Sequence, residues 1–340
     1  MRQLVLTEPG VVSWADVPEP DLEGPGEALV RPVAVALCDL DHWMITGGTP
    51  IPLPVELGHE CVAEVLAVGA DVTTIAVGDL VVVPFQVSCG ACDPCGRGLT
   101  GDCDAVEQLA TYGFGAFGHD WGGVLTDTVR VPYADAMLVK VPAGVDPAAI
   151  ASMSDNIPDG VRLVAPGLAE RPGADVLVLG GGARSIALYA AGAAVALGAG
   201  RVDYLDSDKR RLAIASDLGA EAVQVDEFPY RADRRYAITV DAGNSGDSLA
   251  GALRSTEPGG LCTSASVLFE RMTPVPLLEM YTTGVRFHTG RAMARAVIPD
   301  ALELVASGRL RPELVTSRVA SWHDAPGAVL QEETKLVVSR

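Results

Sequence analysis

In the first half of the chain, apolar residues come in short runs cut by Gly and Pro. Residues 27–36 read as a strand in which Pro32 predicts an edge or a bulge, because proline has no N–H to give a ladder. Residues 62–68 and 80–83 read as further strands, and no stretch between them holds a helical period. This pattern predicts an irregular, β-barrel-like domain over residues 1–155. Near Asp155 the pattern changes. Residues 175–179 form a short buried-strand run, Gly180-Gly181-Gly182 follows, and 183–197 reads as a helix of small residues. Strand-like 201–205, ending at Asp206, then precedes a helix over 208–218 with Gly219 at its C-terminal end. Strands at 236–240, 261–264 and 285–288 continue the alternation, with a helix at 248–253. Strand alternating with helix predicts a parallel, doubly wound sheet over 156–293. An amphipathic helix at 294–307 and a strand at 335–338 then belong to a return over 294–340.

Composition narrows the picture. The 340 residues suit two domains, and 49% hydrophobic with 20% charged residues is a globular balance. A net charge of −19 with no Lys/Arg cluster argues against nucleic acid as a partner. No apolar run is long enough to span a bilayer and the N-terminal residues lack a signal-peptide pattern, so the expectation is a cytoplasmic protein without a membrane partner. The seven cysteines argue for metal ligation over a disulfide framework.

Four of them, Cys89, Cys92, Cys95 and Cys103, crowd one lobe at about 88–104. Thiolates two residues apart can bend around one tetrahedral zinc, and Gly90, Pro94, Gly96 and Gly98 supply the turns. Four thiolates leave no open position, so this zinc is expected to be structural; reduced surface cysteines or an iron–sulfur cluster are the alternatives. Gly180-x-Gly182 lies between a strand and a helix, the context of a dinucleotide-binding turn, with Ser185 in place of the third glycine. The helix start Ala183-Arg184-Ser185 would receive a pyrophosphate on its free amides. Asp206 suits the ribose hydroxyls of NAD and would repel a 2′-phosphate, although Lys209, Arg210 and Arg211 stand close by. Cys38 and Gly58-His59-Glu60 are weak metal signals alone, since a lone Cys or His is usually a packed core residue.

Cys38-Asp39-Leu40-Asp41, Gly58-His59-Glu60, the four-cysteine lobe and the Gly-rich turn occur here in one order. The chain thereby resembles the zinc-dependent medium-chain dehydrogenase/reductases over nearly its whole length. The resemblance implies a GroES-like β-barrel catalytic domain, a Rossmann domain, and a second, catalytic zinc. Carried over by position, Cys38 and His59 are the first two ligands, and Asp155, in Ser152-Met153-Ser154-Asp155, is the third. The other reading of Asp155 is a helix cap. Glu60 would be a transient ligand or neighbour of the metal, and Asp41 would orient His59, as ligating histidines require. The activity implied is hydride transfer between an alcohol or carbonyl small molecule, most readily a secondary alcohol, and NAD(H), in a homodimer or homotetramer. The sequence departs from the family in one respect. Leu40 stands where relatives commonly carry a proton-relaying Ser or Thr, and Trp43 stands where a His is common, so His42, Asp39 or water would have to reroute the proton. That departure keeps reduction of a conjugated alkene or iminium open as an alternative, and a non-catalytic nucleotide-binding relic is the other. Cys61 and Cys262 are expected in the core, and His119, His288 and His323 in structural roles. Trp43, Phe114 and Trp121 are candidates for lining a substrate pocket.

Overall fold

The first strong strand runs Ala28–Leu37 in the computed structural model, which describes residues 1–340. It pairs antiparallel with Glu60–Val68 on one flank and with Leu336–Ser339 on the other. Pro32 sits where the ladder slips, between Pro32 and Ala34, so the missing N–H falls at a bulge. The sheet continues through Leu80–Val83 to Val139–Lys140, and Arg318–Ser321 closes its far side beyond Leu336–Ser339. Val129–Val131 pairs with the start of Ala28–Leu37. A smaller sheet joins Val11–Asp16, Arg2–Glu8 and Val55–Glu56. These strands build a GroES-like unit of residues 1–158, 292–306 and 316–340.

The apolar pattern did not predict the short strands such as Arg2–Glu8, Val11–Asp16, Val129–Val131 and Arg318–Ser321, nor the helix Asp39–Ile45 that opens at the site. Two turns are too short for a 3.6-residue period to stand out, and only Met44 and Ile45 bury apolar side chains on it.

The second unit, residues 159–291 and 307–315, is a Rossmann sheet of six parallel strands. Their order is Glu221–Gln224, Val202–Asp206, Val176–Leu179, Tyr236–Asp241, Thr256–Ser264 and Arg286–Thr289. Val176–Leu179 and Tyr236–Asp241 are buried throughout, as strands covered on both faces must be. Chain order reverses between these two neighbours, which opens a crevice at their carboxyl ends. The helix Arg184–Ala196 follows the Gly-rich turn. Lys209–Asp217 is capped by Asp208, whose carboxylate accepts the amides of Arg210 and Arg211, and ends before Gly219 in the left-handed region. No helix is long and apolar enough to cross a membrane.

Gly182 is required by contact. A Cβ there would stand 2.5 Å from the Cβ of Asn244, which occupies the loop after Tyr236–Asp241. Gly182→Ala is therefore expected to destabilise the chain by about 1–3 kcal/mol through overpacking, read as a lower denaturant midpoint by circular dichroism.

Candidate active site

Cys38 follows the strand Ala28–Leu37 directly, and His59 directly precedes Glu60–Val68. Because Ala36 lies opposite Glu60 in the ladder, the ends of these two strands bring Cys38 and His59 together. Asp155 arrives from a different direction, at the end of the 3-10 turn Ala151–Ser154. That turn is pinned to the same strand by Ser154, whose Oγ accepts the Cys61 amide at 2.8 Å and donates to the Cys61 carbonyl at 2.9 Å. The donor atoms of Cys38, His59, Glu60 and Asp155 lie within 4.8 Å of one another.

His59 is held from both sides. Its Nδ1 faces Asp41 Oδ1 at 3.3 Å and its Nε2 faces Asp155 Oδ2 at 3.5 Å. The other Asp41 oxygen accepts the Cys38 amide at 2.8 Å, so one carboxylate braces two of the candidate ligands. Burial works against charge on His59, but the Asp41 carboxylate, and the acceptors Asp155, Asp41 and Cys38 around its ring nitrogens, outweigh it and raise its pKa well above the ordinary value. The ring centroids of Phe114 and Phe85 lie 4.8 and 5.8 Å from that of His59, which gives the site an apolar wall. His42 lies one turn along the helix Asp39–Ile45 and is not among the converging donors; Leu40 occupies the first turn of that helix.

These residues fit a zinc ion. One thiol, one imidazole and one carboxylate are zinc's usual donors, and the Nδ1–Asp41 contact leaves Nε2 for the metal. Burial pushes the Cys38 thiol up to about 11 and Glu60 up to about 7, the latter helped by the nearby Asp155 charge. A divalent cation among these groups would remove that penalty on their anionic forms.

A lysine completes the cluster that sequence reading missed. Lys335 Nζ lies 2.7 Å from Glu60 Oε2, with both side chains fully buried. The available signal was a single cation at the head of the apolar run Lys335-Leu-Val-Val. Ser154 and Asn156 were missed as well, and short polar residues flanking an acid carry no distinctive pattern.

Cys89, Cys92, Cys95 and Cys103 converge equally closely, and all seven cysteines are free. Backbone amides point at the sulfurs: Cys89 and Ala105 to Cys103 at 3.3 and 3.4 Å, Ala91 to Cys89 at 3.4 Å, and Asp104 to Cys92 at 3.4 Å. The amides of Cys95 and Asp104 bring Cys92 down to about 7, while burial takes Cys95 up to about 12. Gly90 and Gly98 take the left-handed turns that wrap the lobe. This shell of N–H groups fits thiolates around a structural zinc. Cys61 and Cys262 are buried core thiols.

In the Rossmann unit, Asp206 ends its strand beside Gly180, where a Cβ would come within 2.5 Å of both Asp206 Oδ2 and the Tyr204 hydroxyl. The Asp206 carboxylate accepts four hydrogen bonds: from Tyr204 Oη at 2.8 Å, the Asp208 amide at 2.9 Å, and Arg211 Nε and Nη2 at 2.8 and 2.7 Å. Burial would raise its pKa, but these partners, Arg211 first, hold it below the usual carboxylate range. Asp206 is fully buried in these contacts. The amides of Gly182 and Ala183 donate to the carbonyls of Gly243 and Ala242. Ser185, at the third-glycine position, is fully buried.

Removing the lysine gives a direct test of the ion pair. Lys335→Met leaves the Glu60 carboxylate buried without its cation and is expected to cost about 3–5 kcal/mol. Adding Glu60→Gln should recover most of that loss, measured as a double-mutant cycle by urea denaturation.

The model of the alcohol dehydrogenase GroES-like domain matches residues 24–143. A "probable zinc-binding alcohol dehydrogenase" of Mycobacterium tuberculosis is 30% identical over 318 residues, covering 91% of this chain and 79% of that protein. The glutathione-independent formaldehyde dehydrogenase of Pseudomonas aeruginosa is 35% identical over 65% of this chain and 57% of its own length. Among solved structures, the alcohol dehydrogenase TADH from Thermus sp. ATN1 superposes with a TM-score of 0.89 at 30% identity, over 100% of this chain and 99% of that one.

Proposed function

The chain belongs to the zinc-dependent alcohol dehydrogenases of the medium-chain dehydrogenase/reductase family, and we propose that it moves a hydride between a secondary alcohol or its ketone and NAD(H), with two zinc ions per chain. The observation that carries this reading is the convergence of Cys38, His59 and Asp155, delivered from three separate segments, on one point. These three would hold the catalytic ion, and Cys89, Cys92, Cys95 and Cys103 the structural one. A zinc ion with three protein ligands supplies a Lewis acid that eases loss of an alcohol proton and polarises a carbonyl. NAD supplies the hydride acceptor.

The chain's own residues prepare the site. Asp41 fixes the tautomer and orientation of His59. Phe85 and Phe114 keep water from the imidazole's faces, which strengthens each electrostatic contact there. Lys335 holds Glu60 by charge. Leu40 has no hydroxyl to pass a proton, so His42 or Asp39, on the same helix, takes that role through solvent. At the nucleotide site, the helix start at Arg184 and Ser185, after the Gly-rich turn, would receive the pyrophosphate. Asp206 stays anionic, which favours NAD over its 2′-phosphorylated form; a ribose hydroxyl reaches the carboxylate when Arg211 gives up one of its two bonds. The same reading makes the protein a cytoplasmic homo-oligomer. Its free cysteines support the compartment, and the exposed side chains of Met272, Leu277, Leu278 and Tyr281 support the assembly.

Leu40 favours one second reading, reduction of a conjugated alkene or iminium on the same scaffold. A panel of secondary alcohols, polyols, aldehydes and enones followed by NADH absorbance separates the two.

Asp155→Ala is expected to abolish turnover and to leave one zinc per chain, in the four-cysteine lobe, by elemental analysis. Wild-type activity or a retained second zinc would remove Asp155 from the ligand set. Asp206→Ala is expected to weaken NADH binding about tenfold, roughly 1.4 kcal/mol, in a fluorescence titration. Unchanged NADH affinity would exclude Asp206 from cofactor recognition.

A further inference from the structure

The sulfur of Cys38 has a side-chain neighbour that the proposed chemistry does not use. Asn156 follows Asp155 and opens the helix Asn156–Glu170. Its side chain is fully buried, and its Nδ2 donates to Cys38 Sγ over 3.6 Å, a length that sulfur's large radius makes ordinary. On the chain's other side, the Asp41 amide also faces that sulfur, as the third residue of the helix that Cys38 caps. The sulfurs of the four-cysteine lobe receive backbone amides from Cys89, Ala91, Asp104 and Ala105. Those donors belong to the main chain, whereas the Asn156 amide can be removed by one substitution.

An N–H aimed at a thiolate holds part of the lone-pair charge that the sulfur would otherwise give to a metal. The metal keeps more of its positive charge and becomes the stronger Lewis acid. Such tuning has particular use where Leu40 offers no hydroxyl to assist the proton's departure.

We propose that Asn156 is a positioning residue that sets the donor strength of the Cys38 thiolate, and through it the Lewis acidity of the metal held by Cys38, His59 and Asp155. The proposal rests on that ligand reading. The two are separated by a hybrid full-length protein carrying cobalt(II) in the catalytic site and zinc in the four-cysteine lobe. The readout is the sulfur-to-cobalt charge-transfer band. Asn156→Leu removes the donor while keeping the branched heavy-atom shape and is expected to move the band to longer wavelength, because the sulfur lone pair is no longer held by an N–H. Asn156→Ser, too short to reach the sulfur, should move it the same way and serves if the leucine variant fails to fold. Both variants should lose roughly tenfold in kcat with zinc restored, with little change in KM. A wild-type band in whichever of these hybrids folds would overturn the proposal. Cys38→Ser in the same hybrid should abolish the band. If it leaves the band in place, Cys38 is not a ligand, and the ligand reading fails together with the proposal.

Discussion

Ala36 stands opposite Glu60 across an antiparallel ladder, and the candidate active site depends on that register. Side chains alternate faces along a strand, so a slip of one residue would turn Glu60 and its neighbours to the opposite face of the sheet. The register is held by the buried pairs along Ala28–Leu37 and Glu60–Val68 and by the bulge at Pro32, which allows the ladder to pass a residue without an N–H. Ser154 then ties the turn that carries Asp155 to Cys61, one residue along the same strand from Glu60. Donors more than a hundred residues apart in the chain thus share one small volume because two hydrogen-bonded contacts are fixed.

What gathers there is an excess of acid. Asp41, Glu60 and Asp155 surround one imidazole and one thiol, and Asp41 and Glu60 are fully buried. Buried carboxylates are tolerated when cations and donors stand against them. His59 answers Asp41 and Asp155, and Lys335 answers Glu60. The metal proposed at the centre belongs to the same balance, which is why both Lys335 and Asn156 bear on it without being ligands.

The fold was largely legible in the sequence. The buried strands at Val176–Leu179 and Tyr236–Asp241 and the helix after the Gly-rich turn all follow from local apolar period and punctuation. The helix Asp39–Ile45 was not legible, because two turns carry too little period. In the site, the residues that could be read were those whose type and spacing mean something alone, such as the four cysteines, or whose order resembles a family, such as Cys38 and His59. Lys335, Ser154 and Asn156 work through partners far away in the chain, and no local pattern announces such a partner. Asp206 illustrates a subtler limit. Its place at a strand end was evident, but its capture by Tyr204 and Arg211 depends on how a helix packs over that strand.

The strand that brings Lys335 to Glu60 also fills the gap beside Ala28–Leu37. One of its pairing partners, Ala28–Leu37, lies near the start of the sequence, and the other, Arg318–Ser321, lies just before it. The whole Rossmann unit lies between Ala28–Leu37 and this strand in the sequence. Without this strand, one edge of Ala28–Leu37 would be unpaired and Glu60 would lack its cation. Closing this sheet is therefore a contact of high sequence separation, the kind whose loop-closure entropy must be met before it stabilises.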